Sequence, residues 1–252
     1  MVSGLLLVKH SFNAVHRLIL NPPAPKSFFS RLSIHCLMML YLLTFPSVSI
    51  HQDHVLSSVA NLNSQGTNII CFGDSLTYGK GASFGHDYPS LLGRALGMKV
   101  INAGVDGDTT GDALKRLDRD VLSKDPRMVI ILLGANDYLD EVSVSKTFEN
   151  LDKIIDRILD QGAMVVSVEI GASVFGEPLQ QRWDQVAIRH RVIPVKGILN
   201  TYFFNPTLKS DSLHPNDKGY EMIAGHILKT VKPLLELSSS YLATFSQSQA
   251  ED

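Results

Sequence analysis

Asn68-Ile69-Ile70-Cys71-Phe72-Gly73-Asp74-Ser75-Leu76 is the stretch on which the reading of this chain turns. Ile69 to Phe72 is apolar without alternation, which suits a strand buried on both faces of a parallel sheet. A serine follows at the carboxyl end of that strand, and Asp211-Ser212-Leu213-His214-Pro215 stands far downstream. Together these supply the parts of a Ser-His-Asp triad: a nucleophile, a base that takes its proton, and a carboxylate that orients the imidazole. Taken alone, Ser75 reads as a turn serine capping a helix, and Asp211-Ser212 as a cap beside a surface histidine. Each half of the pattern reverses the odds for the other.

Outward from this strand, apolar runs and amphipathic segments alternate. The strand-like runs are 68–72, 99–102, 128–133, 163–170 and 192–195, all rich in Val and Ile. Helical patterns cover 88–96, 110–123, 144–161, 178–190 and 215–235; in the third, Leu151, Ile154, Ile155, Ile158 and Leu159 form an apolar stripe, and Gly162 suits a left-handed stop. Regular β-α alternation predicts an α/β fold, a three-layer α/β/α sandwich around a mainly parallel five-stranded sheet of the flavodoxin-like class. Such sheets bind ligands outside the carboxyl ends of their strands, where Ser75 falls.

Two more blocks lie between the serine and the histidine, Asn102-Ala103-Gly104 and Gly134-Ala135-Asn136-Asp137. A tetrahedral intermediate needs donors aimed at its oxyanion. Glycine at 104 allows close approach of a backbone N–H, Asn136 offers a side-chain amide, and the N–H of Ser75 completes a three-donor set. Ser, Gly, Asn and His blocks in this order resemble the SGNH (GDSL-type) hydrolase superfamily over about residues 67–235, with the bacterial thioesterase–arylesterase–lysophospholipase branch the nearest likeness. The resemblance implies catalytic Ser75, Asp211 and His214 and an oxyanion hole of Ser75, Gly104 and Asn136. It also implies cleavage of carboxylic esters or thioesters through an acyl-enzyme. The alternatives are a carbohydrate acetylesterase, or a non-catalytic lipid- or carbohydrate-binding module using the same cleft.

Other motifs take blander readings. The serine is not in a Gly-x-Ser-x-Gly setting, and Asp74 and Gly81 break a phosphate-loop pattern around Gly79-Lys80. Asp74 adjoins the nucleophile, but consecutive side chains diverge, so it is expected to bond the neighbouring loop. Gly107-Asp108-Thr109 matches a loop typical of the thioesterase-like branch, with Asp108 and Thr109 read as helix caps. Asp106 and Asp108 lack further ligands for a cation, so no metal and no cofactor are expected. Trp183 is assigned to the core. The loop 171–176, Gly-Ala-Ser-Val-Phe-Gly, is small and apolar and suits an acyl groove.

A formal net charge of −2 leaves no electrostatic footprint for nucleic acid. The expected partner is a small acyl ester or thioester, lipid included, with no obligate protein partner evident. Two cysteines, Cys36 and Cys71, make no disulfide framework. Lys26 and Arg31 precede the apolar run Leu32 to Phe45, Pro46 breaks it, and Ser47-Val48-Ser49 offers small residues for cleavage. This is the order of a secretory signal peptide, and the run is short for a membrane span. The expected organisation is an N-terminal extension and signal peptide at 1–49, a linker at 50–66 in which His51-Gln52-Asp53-His54 is solvated, the hydrolase domain at 67–236 and a polar tail at 237–252. Export to the periplasm or medium follows, with membrane anchoring through an uncleaved N-terminus as the alternative.

Overall fold

Each strand reaches the next through helix, so the strands run parallel and both faces of the sheet are covered. The computed structural model describes residues 59–169 and 177–248. Within them lie β1 (Asn68–Gly73), β2 (Val100–Gly104), β3 (Pro126–Leu132), β4 (Met164–Val168) and β5 (Ile193–Val195), ordered β2-β1-β3-β4-β5. Every neighbouring pair is parallel. The helices are α1 (Ser75–Tyr78), α2 (Tyr88–Leu96), α3 (Thr110–Asp120), α4 (Ala135–Leu139), α5 (Val144–Asp160), α6 (Glu177–His190), α7 (Ile198–Phe203) and α8 (Asp217–Ser248). The α/β class and the five parallel strands agree with the sequence reading.

Side chains along each strand alternate between two cores. Ile69, Cys71, Met128 and Ile130 pack beneath α2 and α8, against Leu92, Tyr220 and Ile227. Ile70, Phe72, Val129 and Ile131 pack on the other face, beneath α3, α5 and α6. Local chemistry sets the helix ends. The Asp87 side chain accepts from Ser90 N at the start of α2, and Gly97 at φ 64° stops it. Thr109 and Asp112 form a capping box on α3. Ser143 caps α5, and Gly162 follows it at φ 83°.

Three boundaries differ from the sequence reading. The folded unit begins before residue 67: Val59 and Leu62 are buried, and the Asn61 amide donates to Leu159 O (2.8 Å) in the last turn of α5 and to Ala163 O (3.0 Å) just past it. A stretch that reads as polar linker therefore caps a neighbouring helix from long range. The last helix begins at Asp217 rather than Pro215, because Pro215 is bridged to Lys209 and Asn216 Oδ1 accepts from Gly219 N at 3.1 Å. It then continues to Ser248, through the segment read as a polar tail after residue 236. There Ser238 is buried and Arg127 Nη2 donates to Ser239 Oγ at 3.0 Å, while Ser240 and Thr244 hydroxyls bond carbonyls one turn back. Polar composition concealed a helix whose hydroxyls are satisfied internally.

The expected signal segment, the His51–His54 cluster, the acyl-groove loop 171–176 and residues 249–252 lie outside the described residues. Among the described residues, no helix is long and apolar enough to cross a membrane.

Candidate active site

The strand order reverses direction at β1: the chain moves to β2 on one side and returns to β3 on the other. The carboxyl ends of β1 and β3 therefore border a crevice that the connecting helices leave open. Ser75 follows β1 and Asn136 follows β3. Asp74 caps α1, its Oδ1 accepting from Leu76 N at 3.0 Å, which makes Ser75 the first helical residue. The N–H groups of a first helical turn have no partner within the helix, so that of Ser75 is available to a ligand.

His214 approaches from the segment before α8. Its Nε2 lies 3.1 Å from Ser75 Oγ and its Nδ1 2.8 Å from Asp211 Oδ2. Asp211 Oδ1 also accepts from the backbone N–H groups of Leu213 and His214, both at 2.7 Å. One carboxylate thus orders the turn and orients the ring that the turn carries. The two backbone donors and the imidazole hold the Asp211 carboxyl well below the usual carboxylate range. It stays ionised near neutral pH, which favours the tautomer with the proton on Nδ1 and the Nε2 lone pair toward Ser75. The loop is clamped further by Ser210 N, which donates to His214 O at 2.9 Å, and by Tyr202 Oη, which donates to Leu213 O at 3.1 Å. Ser75 and His214 are both buried.

Gly104 does not take the place expected of it. Its N–H donates to Asn102 Oδ1 at 2.9 Å, and a Cβ at this position would stand 2.1 Å from Tyr78 N. Glycine is required at 104 so that the end of β2 can lie against α1, and its donor is already engaged. Gly107, which the sequence reading did not single out as a donor, has φ +85°, and no described group accepts its N–H. Asn136 Nδ2 donates to Asp108 O at 2.8 Å, which draws the amide to the Gly107–Asp108 loop and leaves its second hydrogen for a ligand. The signal was present in Gly107-Asp108-Thr109, but its capping reading obscured it. Thr109 does cap α3, whereas Asp108 pairs with Arg116, Nε to Oδ2 at 2.5 Å.

Asp137, next to Asn136, points away and is buried, accepting from Thr110 N (2.7 Å) and from the hydroxyls of Thr110 (2.5 Å) and Thr147 (3.2 Å). It ties α4 to α3 and α5. Trp183 packs edge-on against Phe148, with centroids 5.4 Å apart, in the core as expected. Beside Ser75, an apolar cavity of about 30 Å³ is lined by Leu76, Ala135, Asn136, Tyr202, Phe203 and Leu213. Asp74 also borders it. Its Oδ2 is buried without a partner, and burial pushes the carboxyl up to about 7. Among the described residues, no group of three or more His, Cys, Asp or Glu side chains could hold a metal ion.

The chain is similar to proteins already known. The model of the GDSL-like lipase/acylhydrolase family matches residues 71–222. An arylesterase from Vibrio mimicus is 31% identical over 167 residues, which cover 62% of this chain and 84% of that protein. Thioesterase 1/protease 1/lysophospholipase L1 of Escherichia coli (strain K12) is 26% identical over 179 residues, 68% of this chain and 86% of the other. The crystal structure of the psychrotrophic esterase EstA from Pseudoalteromonas sp. superposes with a TM-score of 0.61 at 26% identity, covering 68% of this chain and 99% of its own.

The Asp74 environment has a consequence for stability. An unfolded aspartate ionises near about 3.9, whereas the folded carboxyl holds its proton until about 7. The folded state binds the extra proton in that window, so the stability Asp74 contributes is complete below about pH 4 and is lost as pH rises through 7. Asp74→Asn keeps the capping oxygen and removes the ionisation. Its stability relative to the parent should rise between pH 4.5 and pH 8, with an upper bound on the order of 4 kcal/mol. Denaturant melts at both pH values test this, and a gap that does not change with pH contradicts it.

Proposed function

We propose, from the premise that this chain belongs to the GDSL-like lipase/acylhydrolase family and is a serine hydrolase of carboxylic esters, that Ser75 is its nucleophile, His214 its general base and Asp211 the group that orients the base. The observation that carries this reading is the unbroken relay from Asp211 Oδ2 to His214 Nδ1, and from His214 Nε2 to Ser75 Oγ, at 2.8 and 3.1 Å. As Ser75 Oγ attacks the ester carbonyl, Nε2 takes its proton and Asp211 stabilises the imidazolium that forms. The proton then passes to the leaving alcohol, or to the leaving thiol of a thioester, and the acyl group remains on Ser75. Water activated by the same nitrogen attacks the acyl-enzyme, and the acid departs.

The oxyanion of each tetrahedral intermediate is assigned to the N–H of Ser75, the amide of Asn136 and the N–H of Gly107. Gly107 replaces Gly104 because its donor is unengaged. Preorganised donors of this kind are each worth about 10²–10³ in kcat. A binding module would need neither the relay nor the donors together, so hydrolysis is favoured over binding alone.

The cavity beside Ser75 favours short acyl groups. A water needs at least about 10–15 Å³ of such space, so about 30 Å³ suits a small group rather than a long chain. This supports arylesterase-type or acetylesterase-type substrates over long-chain lipids. Export is proposed from the N-terminal residues: a basic flank, the apolar run 32–45, a proline and small residues through Ser49.

Three measurements test these readings. Ser75→Ala, folded to the same melting temperature, should lose fluorophosphonate labelling and at least about 10³-fold in kcat; normal labelling removes Ser75 from the nucleophile's role. On p-nitrophenyl esters, kcat/KM should be highest for acetyl to butyryl groups and decline toward palmitoyl, whereas a palmitoyl optimum contradicts the short-acyl reading. N-terminal sequencing of exported protein should begin within a few residues of Ile50; recovery of the full-length chain in the membrane fraction would favour an anchor instead.

A further inference from the structure

Arg116, in the middle of α3, is nine-tenths buried, and burial of a guanidinium is costly unless its donors are met. Its Nε donates to Asp108 Oδ2 at 2.5 Å, Nη2 to Gly73 O at 2.9 Å, and Nη1 to Ala103 O at 2.8 Å and Asp120 Oδ2 at 3.1 Å. Its Cζ sits 4.5 Å from the centroid of the Phe72 ring. Gly73 ends β1, two residues before Ser75, and its carbonyl also accepts from Val105 N at 3.0 Å. Ala103 is next to last in β2, and Asp108 belongs to the loop that follows. The carbonyl of Asp108 in turn receives the Asn136 amide at 2.8 Å.

We propose that Arg116 is the positioning residue of the oxyanion hole, one buried guanidinium setting the spacing between the segments that carry Ser75, Gly107 and Asn136. This rests on the oxyanion reading given under Proposed function. Strand pairing already fixes β1 against β2 as far as Gly73 and Gly104. The backbone bonds of Arg116 fall at that limit, and its Asp108 bond reaches into the loop beyond, where no ladder continues. It touches no reacting atom. Its action on Asn136 passes through Asp108, whose carboxylate it holds and whose carbonyl takes the amide. A guanidinium suits the task because its five N–H groups point in fixed directions in one plane, whereas an ammonium is a compact charge that meets these separated acceptors poorly. Oxyanion donors act through placement, and small displacements at such sites cost orders of magnitude in rate.

The experiment is a double-mutant cycle on the full chain with Arg116→Lys, Asn136→Ala and their combination. It measures kcat and KM for an aryl acetate, inhibition by a phenylboronic acid, and melting temperature. The tetrahedral boronate places an oxygen in the oxyanion position, so its affinity reports the hole without turnover. Arg116→Lys should lower kcat by about 10–100-fold with KM changed by less than about threefold, and should weaken boronate binding by a comparable factor. The double variant should be slower than Asn136→Ala by less than the Arg116→Lys factor, since residues acting through one group do not add. Fully multiplicative losses, or a lower melting temperature with kcat per folded molecule intact, overturn the proposal. If Asn136→Ala is slow and Arg116→Lys is not, this proposal alone fails; if Asn136→Ala leaves kcat unchanged, the oxyanion reading of Asn136 fails and takes the proposal with it. Should Arg116→Lys not fold, Asp108→Asn keeps the Asp108 carbonyl and removes the charged partner. It should show the same kcat-selective loss in milder form, and an unchanged kcat there counts against the proposal.

Discussion

A parallel sheet whose strand order reverses at β1 leaves a crevice that its own connections cannot fill, and the site is built in that crevice. Ser75 is brought there by β1, and Asn136 by β3. The constraint is geometric before it is chemical. Two adjacent strands that send their chains to opposite sides open a gap at their carboxyl ends. The first-turn N–H groups of the helices that follow have no acceptor within their own helix, so this gap suits developing negative charge.

The imidazole of His214 reaches this crevice from 139 residues away in sequence, where the proposed reading makes it the base. The segment bearing His214 is not a regular element, so its shape has to be imposed. Asp211 imposes much of it by accepting two backbone N–H groups with one oxygen and the imidazole with the other. A carboxylate used three times is held firmly ionised, and the ring it orients is held at the Ser75 hydroxyl. The order of the turn and the orientation of its ring come from the same set of hydrogen bonds.

The acidic residues around Ser75 divide by environment rather than by distance from it. Asp211 is half-exposed and supplied with donors, so it remains a carboxylate; Asp74 is buried with one oxygen unpartnered, so it holds its proton to about pH 7. Asp137 is buried yet fully bonded to two threonines, and Asp108 is neutralised by Arg116. Four aspartates near one site thus serve four purposes, and proximity to Ser75 alone would have assigned them wrongly.

The sequence by itself determined the α/β class, the five strands and the order of the Ser, Asn and Asp-x-x-His blocks, because periodicity and strand-end position are local properties. Even Thr109 and Gly162 declare their helix ends through residues within one turn. Only the tertiary structure decided which glycine offers a free donor. Gly104 and Gly107 look equivalent in sequence, but the Asn102 side chain engages one and no described group engages the other. It also decided that Asn61 belongs to the end of α5, that the polar residues around Ser238 remain helical over Arg127, and that Arg116 reaches three segments at once. Each of these depends on a partner far away in the chain, and hydrogen bonds at long sequence separation leave no periodic trace.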